Sequence, residues 1–500
     1  MKLIEYYLDE NGKKNINKVF STELADERKE WLKSYDKVNI IALNADSNTK
    51  ISFTEFVDLE LKHFSNYDNI RSIPSLLDGL KPSQRKILWA CFKKNLTTEI
   101  KVAQLSGYVS ECSEYHHGEM SLQGCIIAMA QDFIGSNNLN LLYPSGQFGT
   151  RIAGGSDHAS ARYIFTKLMP ITSKLFNKLD EELLEKQYED TSEIEYKNYI
   201  PLLPLILING STGIGTGYST NILQYNPIDI ISNIKKLIND EEMDEIMPYY
   251  RNYKGKIIKE AHNKYMSYGI LKQKKDNIIQ ILELPIGTWI LKMEEHLDKL
   301  YSTKQIESYV KYSTDIDVKY EITFKEPILL TDNMDMLCSL FKLKKPLNAT
   351  NMILYNKDYI LTKYNDVNDI IKEFYDIRIE FYFKRKDLLL EKYNYEKLIL
   401  ENKIRFITSI INKELIINNK EDNILLQELK DNNYYEKDNS YDYLLDMNLR
   451  SLTLKKLNDL KQQLKNIIDK LDALNLKSPH QLYIDDIHDF EKVYNKEYIK

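Results

Sequence analysis

The sequence predicts a multidomain α+β protein: a helix-turn-helix or winged-helix module, then an α/β region with an antiparallel sheet, then long paired helices. Three observations predict it. All 17 glycines lie at or before Gly287, and neither Gly nor Pro occurs between Pro346 and Pro479. These residues are the main punctuators of local structure, so the C-terminal third should be largely helical. The stretch from Lys256 to Leu284 alternates β-favouring runs with short polar breaks, as strands of a sheet do. Between Lys81 and Phe133 three apolar stretches carry helical spacing.

Those three stretches make the first module. Pro82 opens a helix in which Ile87, Leu88, Cys91 and Phe92 share a face. Val102, Leu105, Val109 and Cys112 mark a second helix. Leu122, Cys125, Ile126, Met129 and Phe133 mark a third, after a break at Gly118. Helix, helix, short turn, helix is the order of a helix-turn-helix or winged-helix unit. In the C-terminal third, Val367, Ile370, Phe374, Ile377, Phe381, Leu388, Tyr395 and Leu398 fall at threes, fours and sevens. Leu457, Leu460, Leu464, Ile467, Leu471 and Leu474 do the same until Pro479. That is the seam spacing of long packed helices. An antiparallel coiled-coil arm tipped by a helical knob and an ordinary helical bundle both satisfy it.

The 500 residues suit about three domains. We place boundaries at 1–70, 71–195, 196–360 and 361–500. The chain is 43% hydrophobic and 28% charged, with net charge −6, so composition alone does not announce a nucleic-acid binder. Cys91, Cys112, Cys125 and Cys338 form no C-x₂-C pair, which indicates neither a zinc site nor a disulfide scaffold. The first residues carry no signal-peptide core and no 18-residue apolar run occurs. An intracellular protein without a membrane partner is expected, nuclear or cytoplasmic.

Several clusters could carry chemistry. Lys81, Arg85, Lys86, Lys93, Lys94 and Lys101 stand against a single acid, Glu99. Such a run is ordinarily a solvated helix face, but on a helix-turn-helix unit it would follow phosphates. His116 and His117 are adjacent and point apart on a helix, which poorly suits one metal; a polar helix end is the plain reading, and donation to phosphate the functional one. Gln147 to Arg151 precedes the pair Arg162-Tyr163. Tyrosine, with a free pKa of about 10, attacks phosphorus only when its oxyanion is stabilised. A neighbouring arginine offers fixed donors to non-bridging oxygens. There are 36 tyrosines, so chemistry alone does not single out Tyr163. The glycine-rich run Gly210 to Gly217 lacks the lysine of a P-loop. It could present Ile214 as an apolar wedge between base steps, or simply be a tight turn with Ile214 in the core. Asp315 and Asp317 sit on an expected strand with both acids on one face. A metal there, or at Asp485-Asp486, is not expected, and no metal site is assigned.

Taken in order, these motifs resemble the DNA-cleaving core of type IIA DNA topoisomerases of the eukaryotic kind. The resemblance rests on Arg71-Ser-Ile-Pro-Ser-Leu-Leu-Asp-Gly-Leu-Lys-Pro-Ser-Gln-Arg-Lys86, Lys101 to Gly107, Tyr115-His-His-Gly-Glu119 and Gly135 to Asn140. It continues through Gly146-Gln-Phe-Gly-Thr-Arg151, Ala159-Ser-Ala-Arg-Tyr163-Ile-Phe-Thr166, Tyr199 to Pro201, Asn209-Gly210 and Gly213-Ile-Gly-Thr-Gly217. Phe20 to Leu32 resembles the segment that leaves the family's TOPRIM domain, and Tyr441 to Asp446 the return into the coiled coil.

The resemblance implies a CAP-like winged-helix domain, a tower domain beside bent double-stranded DNA, and a coiled coil with a helical exit gate that forms a homodimer. It implies that Tyr163 is the nucleophile of a transient 5′-phosphotyrosyl link and Arg162 its transition-state arginine. Arg85, His116 and His117 would contact the scissile region, with Lys86, Lys93 and Arg151 as further DNA contacts. Ile214 would be the intercalating wedge. Two motifs depart from the family's usual form: Ala153-Gly-Gly-Ser-Asp157 replaces His-Gly-Gly-Lys-Asp, and Ser83 replaces a glycine. These changes bear on cleavage efficiency and sequence preference. The sequence contains neither the Glu-Gly-Asp-Ser metal motif nor an ATPase domain. Mg²⁺ and ATP are therefore expected to be bound by TOPRIM and ATPase parts, in a second polypeptide or in a longer one. A DNA-bending scaffold without chemistry is the alternative.

Overall fold

The computed structural model describes residues 4–41, 49–417, 420–448 and 453–498. The outermost ends of the 1–70 and 361–500 segments lie outside them. The chain divides into two compact units, Met1–Arg378 with Asp489–Lys500, and Ile379–His488. Among the described residues no helix is long and apolar enough to cross a membrane.

The first unit opens with Ile4–Tyr7 paired in parallel with Thr49–Ser52. Helices Gly12–Phe20 and Ala25–Lys33 enclose a small core of Val19, Trp31, Leu32 and Val57. A helix over Lys62–Ser72 then leads to the three expected helices, Pro82–Lys93, Val102–Cys112 and Glu119–Ala130. Pro82 suits the first turn, where its missing N–H costs nothing, and Gln84 accepts from the Lys81 backbone N–H at 2.9 Å. Ile87, Leu88, Cys91, Val102, Leu105, Val109, Leu122 and Ile126 are fully buried. Phe133 falls beyond the third helix and meets Trp289 edge-on at 5.9 Å. Two short strands, Ile100–Lys101 and Phe165–Thr166, pair antiparallel beside the helices.

Between Lys256 and Asn348 the chain holds two antiparallel sheets where one was expected. The three-stranded sheet runs in the order Lys344–Asn348, Lys264–Tyr268, Lys256–Ala261. The four-stranded sheet runs Ile270–Lys275, Ile278–Glu283, Tyr320–Thr323, Ser308–Lys311. Strands 264–268 and 270–275 join at Gly269, where a side chain would strike the Glu283 carbonyl oxygen at 2.4 Å. Helices Ile290–Ser302 and Leu330–Leu340 cover the second sheet through Ile279, Ile281, Leu297, Tyr320, Ile322, Leu337 and Phe341.

Asp315 and Asp317 are not on a strand; they occupy the connection between Ser308–Lys311 and Tyr320–Thr323. The Thr314 hydroxyl accepts from the backbone N–H of Ile316 and Asp317, at 3.2 and 3.0 Å. That local bond competes with the ladder. A hairpin, Met352–Tyr355 with Leu361–Tyr364, interrupts the region expected to be helical. Asn356 builds its turn in place of Gly or Pro, accepting from Asp358 N and Ile360 N at 3.0 and 2.9 Å.

The helix Val367–Ile411 begins in the first unit and continues into the second. In the second unit it packs with Leu454–Leu476. Leu457, Leu460, Ile467, Leu471 and Leu474 are buried as their spacing predicts. On the partner helix the seam differs from the expected one: Leu390, Tyr393, Leu400, Ile404 and Ile407 face it, and Tyr395 is 42% exposed. Apolar residues occur on several faces here (Phe381, Tyr382, Phe383; Leu388, Leu389, Leu390), so spacing allowed more than one stripe. The tip is a separate helical cluster of Phe406, Leu415, Leu425, Leu429, Tyr434, Tyr441 and Leu444. Arg385 pairs with Asp486 at 2.6 Å, and the Tyr382 hydroxyl donates to the same carboxylate at 2.7 Å.

The observed seam makes a prediction. Ile407→Ala and Ile467→Ala should each cost about 2–5 kcal/mol in denaturant unfolding, whereas Tyr395→Ala should stay within about 0.5 kcal/mol. A comparable loss at Tyr395 would reinstate the 381/388/395 stripe.

Candidate active site

The loop from Gln147 to Ile164 carries Arg162 and Tyr163. Its end is bonded to the first turn of the Val102–Cys112 helix: Val102 N–H donates to the Ile164 carbonyl at 3.0 Å, and Ala103 N–H to the Ala161 carbonyl at 3.1 Å. Unpaired N–H groups at a helix start are obligatory donors, and here they grip the backbone on both sides of Tyr163. The Tyr163 N–H closes a turn onto the Ser160 carbonyl at 2.9 Å. With its backbone so fixed, the Tyr163 side chain stands 65% exposed. The Arg162 guanidinium lies over its ring at 4.8 Å.

The earlier part of the loop is folded tightly on itself. Thr150 donates from its N–H to Asp157 Oδ1 at 2.9 Å and from its hydroxyl to Asp157 Oδ2 at 2.5 Å. These bonds hold the Asp157 carboxyl below its usual range despite the opposing effect of burial. Gln131 Nε2 donates to the carbonyls of Phe148 and Gly155, at 2.8 and 3.1 Å. Gly149 packs so closely on Gly155 that a Cβ would meet its carbonyl oxygen at 2.4 Å. Both glycines have positive φ, 96° and 85°, so glycine at 149 and at 155 is a steric requirement here.

Arg151 turns inward. It forms an ion pair with Glu283, the two side chains being 3% and 2% exposed, and donates to the Leu284 carbonyl at 3.1 Å. Glu283 accepts further from Leu284 N at 2.8 Å and Lys254 N at 3.2 Å. The pair ties the tyrosine loop to the four-stranded sheet. Sequence reasoning did not single out Glu283, although a lone acid within Ile278-Ile-Gln-Ile-Leu-Glu-Leu-Pro285 was a legible sign of a buried charge.

The basic run is not one exposed face. Arg85 donates to Asp78 through Nε at 2.7 Å and Nη2 at 3.0 Å and to the Leu80 carbonyl at 3.1 Å, and it is buried. The neighbouring Asp78 and Glu195 carboxylates raise its pKa against the opposing effect of burial. Lys86 pairs with Glu195 at 2.9 Å and is mostly enclosed. Arg85, Lys86 and Arg151, all expected at the DNA, thus spend their charges inside the protein. Lys93 is exposed, with its ammonium 4.3 Å from the centre of the Trp89 ring.

The remaining residues expected at the site lie on the surface. Ile214 ends the strand Ser211–Ile214, which pairs with Ser219–Ile222, and is 84% exposed. It is at a hairpin tip, not in the core. His116 is exposed, 3.3 Å from Glu189. His117 Nε2 bonds the Tyr67 hydroxyl. Burial, then the nearby charges of Arg71, His116 and Lys86, push the His117 pKa down. Among the described residues no group of three or more His, Cys, Asp or Glu side chains could hold a metal ion.

The arrangement is a surface tyrosine backed by a guanidinium, on a loop braced by a helix start, with an apolar hairpin tip on the same unit. Residues 71–489 match the family model for the A subunits of DNA gyrase/topoisomerase IV, and residues 2–69 match the C-terminal associated domain of TOPRIM. DNA topoisomerase 2 of Saccharomyces cerevisiae is 43% identical over 432 residues, covering 85% of this chain and 30% of that protein. DNA topoisomerase 2 of Plasmodium falciparum is 40% identical over 517 residues, covering 96% and 37%. The crystal structure of the Plasmodium falciparum topoisomerase II DNA-binding, cleavage and re-ligation domain superposes with a TM-score of 0.86 at 39% identity, over 98% of this chain and 71% of that one. The chain belongs to the type IIA topoisomerase family that the DNA gyrase/topoisomerase IV model defines, and its similarity is to the eukaryotic members. It spans about a third of the length of these curated relatives.

The Arg151–Glu283 pair yields a prediction. Arg151→Ala or Glu283→Ala strands one buried charge and should cost about 3–5 kcal/mol in thermal unfolding. The double replacement Arg151→Met with Glu283→Leu should recover most of that loss. Losses that simply add would show that the two charges are not coupled.

Proposed function

We propose that this chain is the DNA breakage-and-rejoining part of a type II topoisomerase, with Tyr163 as nucleophile. The observation that carries the reading is the exposed Tyr163 side chain beside Arg162, on backbone held from both sides. The phenolic oxygen attacks a phosphodiester phosphorus; the bond to the 3′ oxygen breaks and that oxygen leaves as the 3′ hydroxyl. The product is a 5′-phosphotyrosyl ester. Rejoining reverses the step, and because the ester conserves the energy of the broken bond it needs no ATP at that point. Arg162 reaches from the adjacent position to the non-bridging oxygens, where charge builds in the transition state.

The helices Pro82–Lys93, Val102–Cys112 and Glu119–Ala130, with the strand pair beside them, form in this reading the winged-helix domain within 71–195. The sheets and their two helices form the tower within 196–360. The long paired helices and their tip form the exit gate of a homodimer within 361–500. Lys93 meets phosphate, and His116 and His117 donate near the scissile bond. The hairpin tip of Ile214 enters a base step and bends the duplex. For Arg85, Lys86 and Arg151 the burial of their charges supports a framework role.

Magnesium fits no cluster among the described residues, so we derive no step through it. In this reading its ligands belong to the TOPRIM domain and ATP to the ATPase domain, in the longer polypeptide or a second chain. The exposed Ile214 also suits a DNA-bending scaffold without chemistry; the adduct separates the two readings.

With Mg²⁺ and the complementary TOPRIM and ATPase parts, the chain should form a covalent DNA adduct that Tyr163→Phe abolishes. An undiminished adduct in that variant would remove the assignment. Ile214→Ala should keep the fold and reduce duplex bending, read by energy transfer between end-labelled dyes. Unchanged bending would sink the wedge.

A further inference from the structure

The helix Lys62–Ser72 carries two of the surface elements described above, and Tyr67 lies between them. One side of the helix holds the Ile214 hairpin. Asn69 Nδ2 donates to the Thr216 carbonyl at 3.1 Å, and the Thr216 hydroxyl donates to Asp68 Oδ2 at 3.1 Å. Gly213 and Gly215 rest against the Ser72 carbonyl and the Asn69 side chain so closely that a Cβ would approach them at 2.0 and 2.2 Å. Tyr67 itself is 45% exposed, with the Arg71 guanidinium over its ring at 5.7 Å. Its hydroxyl bonds His117 Nε2. The His117 ring lies between two tyrosines, 5.8 Å from Tyr67 and 5.5 Å from Tyr115, the latter edge-on at 83°.

The direction of that hydrogen bond follows from chemistry. A phenol is a stronger donor than a neutral imidazole N–H, and the bare imidazole nitrogen is a good acceptor. The lone pair therefore sits at Nε2 and the proton at Nδ1. The groups facing the ring from its own segment and from the neighbouring helices are Tyr67, Arg71, Lys86, Tyr115 and His116; burial first, and then the charges of Arg71, His116 and Lys86, disfavour its protonated form. His117 is exposed, so its Nδ1–H is a single, oriented donor at the surface. A phosphodiester oxygen is the acceptor such a donor suits.

We propose that Tyr67 is a positioning residue: its bond to Nε2 holds His117 as the Nδ1–H tautomer and aims that N–H at a phosphate oxygen of the duplex. The helix that carries Tyr67 fixes the Ile214 tip in the same frame. The identity of the phosphate rests on the cleavage reading above; the tautomer does not.

The test uses the whole chain labelled with ¹⁵N-histidine, with His117→Ala assigning the His117 signals. The parent should show His117 as the Nδ1–H tautomer, and Tyr67→Phe should shift it toward Nε2–H. An unchanged tautomer in Tyr67→Phe overturns the proposal. In adduct assays with Mg²⁺ and the complementary parts, Tyr67→Phe and His117→Ala should each slow adduct formation about 3- to 10-fold, the worth of one hydrogen bond. The double variant should be no slower than His117→Ala alone. Losses that multiply would mean Tyr67 does not act through His117. A parent that forms no adduct, with the tautomer as predicted, would remove the cleavage reading and leave the Tyr67 hold on His117 standing.

Discussion

The first turn of one helix sets the rest of the site. Val102 and Ala103 must place their N–H groups somewhere, because a helix start has no internal acceptors. They use the carbonyls of Ile164 and Ala161, so the backbone on either side of Tyr163 is fixed by an obligation of the helix and not by the tyrosine side chain. That leaves the phenol free to face outward, as the proposed nucleophile must. The paired strands Ile100–Lys101 and Phe165–Thr166 continue the same contact, and the Gly149–Gly155 approach folds the preceding loop against it.

Charge follows a similar logic. The basic residues expected at the DNA divide into two groups once folded. Arg85 and Arg151 satisfy their donors inside the protein, on Asp78 and Glu283, and the Arg151 pair binds segments far apart in sequence. Asp78 also accepts from the Tyr199 N–H at 3.0 Å and the Asn198 side chain at 3.3 Å, so a single carboxylate joins the Pro82–Lys93 helix to the chain before residue 200. Removing one partner of such a pair is costly because the other charge stays buried. Lys93 and Arg162 remain at the surface, where a polyanion can reach them.

Much of this was legible in the sequence, and the rest was hidden for identifiable reasons. The three helices of the first module could be read from Ile87, Val102 and Leu122 because each stripe has one apolar face. The second coiled-coil stripe could be read from Leu457 to Leu474 for the same reason. The first could be read only at its start, where Val367, Ile370 and Phe374 are buried; further on, Phe381 to Phe383 and Leu388 to Leu390 are apolar around the helix. The hairpin at Asn356 escaped because an asparagine turn leaves no Gly or Pro. The surface position of Ile214 was one of two readings, and only its hairpin register decides it. Glu283 stood out only as a lone acid in an apolar run, and neither its pairing with Arg151, 132 residues away, nor that of Tyr67 with His117, 50 residues away, is encoded by any local pattern.

The central claim is that the atom joined to DNA is the phenolic oxygen of Tyr163. Peptide mapping by mass spectrometry of the nuclease-trimmed covalent complex tests it most directly. The account predicts one modified peptide, containing Arg162 and Tyr163, with a 5′-linked nucleotide on the tyrosine. A nucleotide on any other residue, or a link through a 3′ phosphate, would contradict it.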